Sequence, residues 1–200
     1  MERDASARVR RAMDDVDRRG FLPEDQERFA DADQPLSIGH GATCSQPTTV
    51  REMLTLLEVD PGQRVLDIGA GSGWTTALLA SLAGPDGEVV GVELEPALVE
   101  FGRTNVATWA PGRDCAPARI ELARPGELGL PDAAPFDRIL VSAESKRLPE
   151  ELVAQLADGG RMVIPVRGAL VVADRAGSAV TTRAVGSFRF VPLREPSAEA

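Results

Sequence analysis

The stretch VLDIGAGSGW, Val65 to Trp74, constrains this chain more than any other. An apolar run leads into it, Gly69, Gly71 and Gly73 alternate through it, and an apolar helical pattern follows Trp74. Such a turn joins a strand to a helix, and its glycines let the backbone approach a bound molecule closely. From Pro61 onward the sequence keeps alternating in the same way. RVLDIG, GEVVGVEL, ARIELA, FDRILVSA and RMVIPV read as strands. WTTALLASLAG, EPALVEFGRTNVATW and PEELVAQLADGG read as helices, the last with a glycine stop. The pattern predicts an α/β fold, a doubly wound, mostly parallel sheet with helices on both faces. After Pro165 the helices end. ALVVADRAGSAVTTRAV predicts a C-terminal β-hairpin turning at Ala176-Gly177, and SFRFVPL predicts a closing strand.

Ahead of this core, Ala5, Val9, Ala12, Met13 and Val16 share helical spacing and predict an amphipathic helix over 5–19, stopped before Pro23. A second helix opens at Pro47, with Val50, Met53, Leu54 and Leu57 on one face. There is no internal repeat. Residues 1–200 are therefore read as one domain: helices and a loop over 1–60, a core over 61–193, and a tail over 194–200 expected to fray.

Two hundred residues can bury a full core without disulfide or metal. Cys44 and Cys115 form no framework, and with His40 as the single histidine a Cys/His metal cluster is excluded. So few cysteines fit a reducing compartment. The charged N-terminus is no signal peptide, and no apolar run reaches the ~18 residues of a membrane span. A net charge of -9 argues against general nucleic-acid binding. A cytoplasmic monomer is expected.

The glycine trio spells GxGxG, because Trp74 stands where a dinucleotide-binding turn would place its last glycine. The next strand ends at Glu93, placed to accept hydrogen bonds from ribose hydroxyls, with Leu94 beside it. Asp67 lies near the end of the first strand, within reach of the same crevice. A tight strand–helix turn alone could explain the glycines. Strand, GxGxG, helix, strand and acid in sequence point instead to a nucleoside site.

The stretch LSIGHGATCSQPTTV, Leu36 to Val50, poses a separate question. It gathers Thr43, Cys44, Ser45, Gln46 and Thr48 between glycine and proline, more small polar groups than a connector needs. Ser45 could cap the helix that opens at Pro47, or it could belong to a site. The residues leave both readings open.

The glycine turn and its acid look like the S-adenosylmethionine site of Rossmann-like methyltransferases. PLSIGHGATCSQP, VLDIGAGSG, APFDRILVSA, LADGGRMVIPV and FVPL, in that order, resemble the protein-L-isoaspartate O-methyltransferases. The resemblance runs from the first helix through Leu193. It implies an unusual order among the last strands, S-adenosylmethionine as cofactor, and a protein or peptide acceptor carrying isoaspartyl residues. It assigns Ser45 to the acceptor carboxylate, with Ala42, Thr43, Cys44 and Thr48 around it. Asp67, Gly69, Ala70, Gly71, Gly73, Glu93, Leu94 and Gly126 fall to the cofactor, and no metal is implied.

Three departures stand out. The family's usual Gly-Asp-Gly becomes Arg124-Pro125-Gly126, which removes an adenine contact unless Glu127 substitutes. Thr48 replaces an aromatic residue or histidine. The loop after IPV is short and lacks the usual glutamine. An altered acceptor side would also suit an aspartyl methyltransferase acting on a dedicated precursor peptide. Pro125 raises a third reading, a non-catalytic nucleoside-binding or interaction domain. Cys44 reads as a small packed side chain, Trp74 as a packing residue and His40 as a loop residue. The Arg10-Arg11 and Arg18-Arg19 pairs read as solvated helix charges.

Overall fold

The computed structural model describes residues 2–194, with side chains from residue 5. In chain order the elements are α1 (Glu2–Asp15), β1 (Leu36–Gly39), β2 (Ala42–Cys44), α2 (Pro47–Leu57), β3 (Arg64–Ile68), α3 (Trp74–Ala83) and β4 (Glu88–Glu93). Then follow α4 (Pro96–Trp109), β5 (Ala118–Leu122), β6 (Phe136–Val141), α5 (Glu150–Val153), β7 (Leu156–Val166), β8 (Ala169–Ala176) and β9 (Ala179–Val185). The seven-stranded sheet runs β5-β4-β3-β6-β7-β8-β9. Its first five strands are parallel, while β8 and β9 are antiparallel. Chain order reverses between β3 and β6, which opens a crevice at the carboxyl ends of the strands.

The inner strands β3 and β4 carry near-continuous apolar runs because both faces of the sheet are covered there, whereas β5 at the edge buries only Ile120. Val65, Val89, Ile120, Leu140 and Val163 pack against α1 to α4. Leu66, Val90, Ile139, Val141 and Met162 face the other way. That second face is closed by α5, a 3₁₀ turn at Pro131–Ala133 and neighbouring loops, so the long helices gather on one side.

Three expectations change. The first helix ends at Asp15, because Asp17 accepts the Arg19 N–H at 2.9 Å and starts a separate 3₁₀ turn over Arg18–Phe21. The helix expected over 149–160 lasts only from Glu150 to Val153. Leu156 pairs with Phe136 of β6 instead, residues from Arg161 on pair with β6 and β8, and Asp158 accepts the Gly177 N–H at the far hairpin. SFRFVPL is no strand: it makes one isolated bridge, Glu144 with Pro192. The last three strands lie in chain order, β7-β8-β9. Only Arg167 and Gly168, both at positive φ, separate β7 from β8, and such a two-residue turn forces neighbours to pair. The expected fraying of 194–200 lies, from residue 195, outside the described residues.

Candidate active site

The crevice above β3, β4 and β6 encloses about 250 Å³. Its walls include the glycine turn, the hairpin β1–β2 leading into α2, the end of β4, the loop at Glu127–Gly129 and residues Val191–Arg194.

Along the glycine turn, Gly69, Ala70 and Gly71 line the crevice. Gly73 does not. A Cβ there would meet Val106 at 2.9 Å and the Gly102 carbonyl at 3.0 Å, so its role is to let α4 press against the turn. Trp74 is buried as expected for a packing residue, and its indole N–H donates to the Val16 carbonyl at 3.1 Å.

Glu93 and Leu94 line the crevice at the end of β4. The Glu93 carboxylate already accepts backbone N–H groups from Gly71 at 2.9 Å, Leu94 at 2.7 Å and Glu95 at 3.1 Å. About one of its roughly four acceptor positions stays open. Asp67 does not reach the crevice. It is fully buried beneath it, and Oδ2 accepts the hydroxyls of Thr75 at 2.8 Å and Thr76 at 2.7 Å. Burial pushes its pKa up to about 6 against the pull of those two hydroxyls. Asp67 thus ties the first turn of α3 to β3.

Across the crevice stand Ala42, Thr43, Cys44 and Ser45. The residue that organises them is Arg18, which is buried rather than solvated. Its guanidinium donates to the carbonyls of Ala32 at 3.1 Å and of Gln34, Cys44 and Ser45 at 2.9 Å each. It also lies over the Trp74 ring, 5.4 Å from the centroid. Arg10, Arg11 and Arg19 are exposed, as expected. Arg18 carried no distinguishing sequence signal beside Arg19. Cys44 is a packed side chain, and burial raises its thiol pKa, which suits packing and not nucleophilic attack.

Ser45 is not a helix cap. Gln46 holds the cap position without a side-chain cap bond, and Asp33 serves the helix end instead. Thr48 is held by that same Asp33 and does not line the crevice. His40, on the β1–β2 turn, places Nδ1 3.4 Å from a Glu95 carboxylate oxygen at the crevice mouth.

On the side reached from β5, neither Pro125 nor Gly126 lines the crevice, whereas Glu127, Leu128 and Gly129 do. The buried Gln155 side chain holds this loop, accepting the Leu130 N–H and donating to the Leu128 carbonyl, each at 2.8 Å. Glu127 Oε2 is buried without a hydrogen-bond partner among the described residues. Leu193 N–H donates to the Glu144 carbonyl at 2.7 Å, which sets FVPL as a wall of the site. The motif was legible in sequence, but its place was not.

A nucleotide-sized crevice at the reversal of strand order, with a glycine turn and an acid ending the next strand, defines a Rossmann-like methyltransferase of the S-adenosylmethionine-dependent class. The comparisons narrow this. A sequence model of the protein-L-isoaspartate(D-aspartate) O-methyltransferases matches residues 2–198, and the chain belongs to that family. An Anaeromyxobacter dehalogenans protein-L-isoaspartate O-methyltransferase is 44% identical over 93% of this chain and 90% of its own. One from Aeropyrum pernix is 46% identical over 80% of this chain, which spans 60% of that protein's length. A Plasmodium falciparum crystal structure assigned to the same enzyme, in complex with S-adenosyl-L-homocysteine, superimposes with a TM-score of 0.79. It is 26% identical, over 94% of this chain and 90% of that one. Among the described residues, no helix is long and apolar enough to cross a membrane.

Proposed function

We propose that this chain methylates the α-carboxylate of L-isoaspartyl residues in proteins or peptides, using S-adenosylmethionine. The observation that carries the reading is Ser45, which faces the crevice while another residue caps the helix behind it.

The residues present fit the cofactor. Gly69 and Gly71 line the crevice where side chains would fill it, and a Cβ on Gly71 would meet Ile38 at 3.1 Å. The open acceptor position of Glu93 suits a ribose hydroxyl. Glu127 Oε2, which lies 3.5 Å from Arg124 Nη1 but accepts no hydrogen bond, suits an exocyclic amine, in place of the Asp that Pro125 removes. Leu94, Leu98 and Leu128 supply apolar walls. When bound, S-adenosylmethionine supplies a methyl group on a positively charged sulfur, which leaves as a neutral thioether.

The chain's own task is positioning. A carboxyl of pKa ~3.9 is already ionised at neutral pH, so no general base is needed. The Ser45 hydroxyl orients the acceptor oxygen, and Arg18 fixes Ser45 through its carbonyl at 2.9 Å. The β1–β2 hairpin and Val191–Leu193 restrict water around the reacting oxygen. The ester carries a methoxy group, which the neighbouring nitrogen can expel as methanol, whereas a carboxylate would have to lose oxide. Attack by the neighbouring amide nitrogen then gives a succinimide, whose hydrolysis returns some normal aspartate.

The relatives' names support an isoaspartyl acceptor over an aspartyl one in a dedicated peptide. The free Cys44 and Cys115 suit a reducing, cytoplasmic setting and the net charge of -9 disfavours a nucleic-acid partner; a monomer built as one domain over 1–200 completes the proposal. The test is methyl transfer from labelled S-adenosylmethionine to an isoaspartyl peptide and to its aspartyl twin. Labelling of the first alone is expected. Labelling of the aspartyl twin, or of neither, would overturn the reading.

A further inference from the structure

Charge is unevenly divided around the crevice. Glu93, Glu95 and Glu127 line it, and Arg194 is the single lysine or arginine that does so among the described residues. The backbone carrying Arg194 is anchored, since Glu144 N–H donates to Val191 and Leu193 N–H donates to Glu144, at 2.8 and 2.7 Å. Its guanidinium rests against the turn of the β1–β2 hairpin, where a Cβ on Gly41 would come 3.4 Å from Nη2. The cation therefore bridges two walls, on the side of the crevice where that hairpin leads to Ser45.

We propose that Arg194 is a specificity-determining residue that recognises the carboxylate form of the acceptor and releases the ester. This rests on the methyltransferase reading above. A carboxylate entering a crevice with three glutamates meets like charge, and one cation beside its path offsets that repulsion. Methyl transfer then changes the balance. An acceptor oxygen lone pair forms the new C–O bond as the S–C bond breaks, no proton moves, and the product is uncharged at that group. The attraction to Arg194 is full in the bound substrate, weaker in the transition state and absent in the ester. An interaction stronger in the ground state than in the transition state improves affinity without raising turnover. Arg194 therefore differs in role from Ser45.

The experiment compares the full-length chain with Arg194→Ala, Arg194→Lys and, as a control outside the crevice, Arg189→Ala. It reads KM and kcat on an isoaspartyl peptide. It also reads the affinity of the fluorescent peptide and of its methyl ester by anisotropy, with S-adenosylhomocysteine present. Arg194→Ala is expected to raise peptide KM and Kd about five- to twentyfold, the span between an exposed ion pair and a charge-assisted hydrogen bond. It should leave kcat at or modestly above wild type, and ester affinity and S-adenosylhomocysteine affinity unchanged. Arg194→Lys should keep most of the peptide affinity, and Arg189→Ala all of it. Unchanged peptide affinity in Arg194→Ala overturns the proposal. So does a loss confined to S-adenosylhomocysteine, which would give Arg194 to the cofactor's own carboxylate. A wild-type chain that neither binds nor methylates the peptide sinks the methyltransferase reading itself, and this proposal with it.

Discussion

Asp33 accepts the Thr48 backbone N–H on Oδ1 and the Thr48 hydroxyl on Oδ2, both at 2.8 Å. A carboxylate from fifteen positions upstream thus closes the first turn of α2. That contact answers the question raised by the polar run before Pro47. With the helix end served from elsewhere, the Ser45 side chain is free for the crevice.

Ser45→Ala should lower turnover on the isoaspartyl peptide by about 10²-fold or more, the scale for losing one preorganised donor. Affinity for S-adenosylhomocysteine and the melting temperature should stay near wild type. Asp33→Ala should show the opposite pattern, with a lower melting temperature and nearly normal turnover per folded molecule. Initial rates and melting curves on both variants check this pair. A lowered melting point in Ser45→Ala with full turnover would return that serine to capping.

Arg18 holds the chain segments around Ala32, Gln34 and Ser45 through their carbonyls. Truncation leaves several buried acceptors unpaired, each costing about 1–3 kcal/mol. Arg18→Ala should therefore destabilise the protein by at least about 3 kcal/mol in urea unfolding. Arg18→Lys should restore little, since one ammonium cannot span the same fan of acceptors. A loss under 1 kcal/mol by the same urea measurement would show that these segments hold their places without it.

Asp67 predicts a pH dependence of stability. Its folded pKa, raised by burial to about 6, lies above the ordinary carboxylate value, so the native state binds the proton more tightly than the unfolded chain. This contribution is present at low pH and is lost as pH rises from about 4 to about 6, amounting to roughly 3 kcal/mol. Asp67→Asn keeps an oxygen for Thr75 and Thr76 and carries no charge. Between pH 4 and pH 7 its stability should rise relative to wild type. Parallel curves for the two proteins would mean that Asp67 titrates normally.

Glu93→Ala should weaken S-adenosylhomocysteine binding by about 1.5–3 kcal/mol for each charge-assisted bond lost. Glu127→Gln should weaken it less, because the amide keeps one acceptor oxygen. Pro125→Asp should leave binding unchanged, because position 125 is exposed and does not line the crevice. Calorimetric titration reads all three, and unchanged affinity in Glu127→Gln would leave the adenine side to the apolar walls.

The strands β3 to β8, helices α2 to α4 and the crevice at their carboxyl ends were legible because each is written in a short local pattern. Apolar runs, helical spacing and alternating glycines report which backbone is extended, which is coiled and where a chain can approach closely. Glu93 was legible too, as the residue that ends the strand after the glycine turn. Only the tertiary structure decided where polar side chains point when their partners lie far along the chain. Arg18 and Arg19 are adjacent and chemically equal, yet one is buried among carbonyls up to 27 positions away and the other is exposed. Thr48 turns from the crevice to Asp33, and Asp67 turns beneath it to α3. Leu156 leaves a helical pattern to pair with Phe136 of β6, and from Arg161 the strand pairs with both β6 and β8, which outweighs local propensity. FVPL had the composition of a strand, but its hydrogen bonds to Glu144 make it a wall of the site.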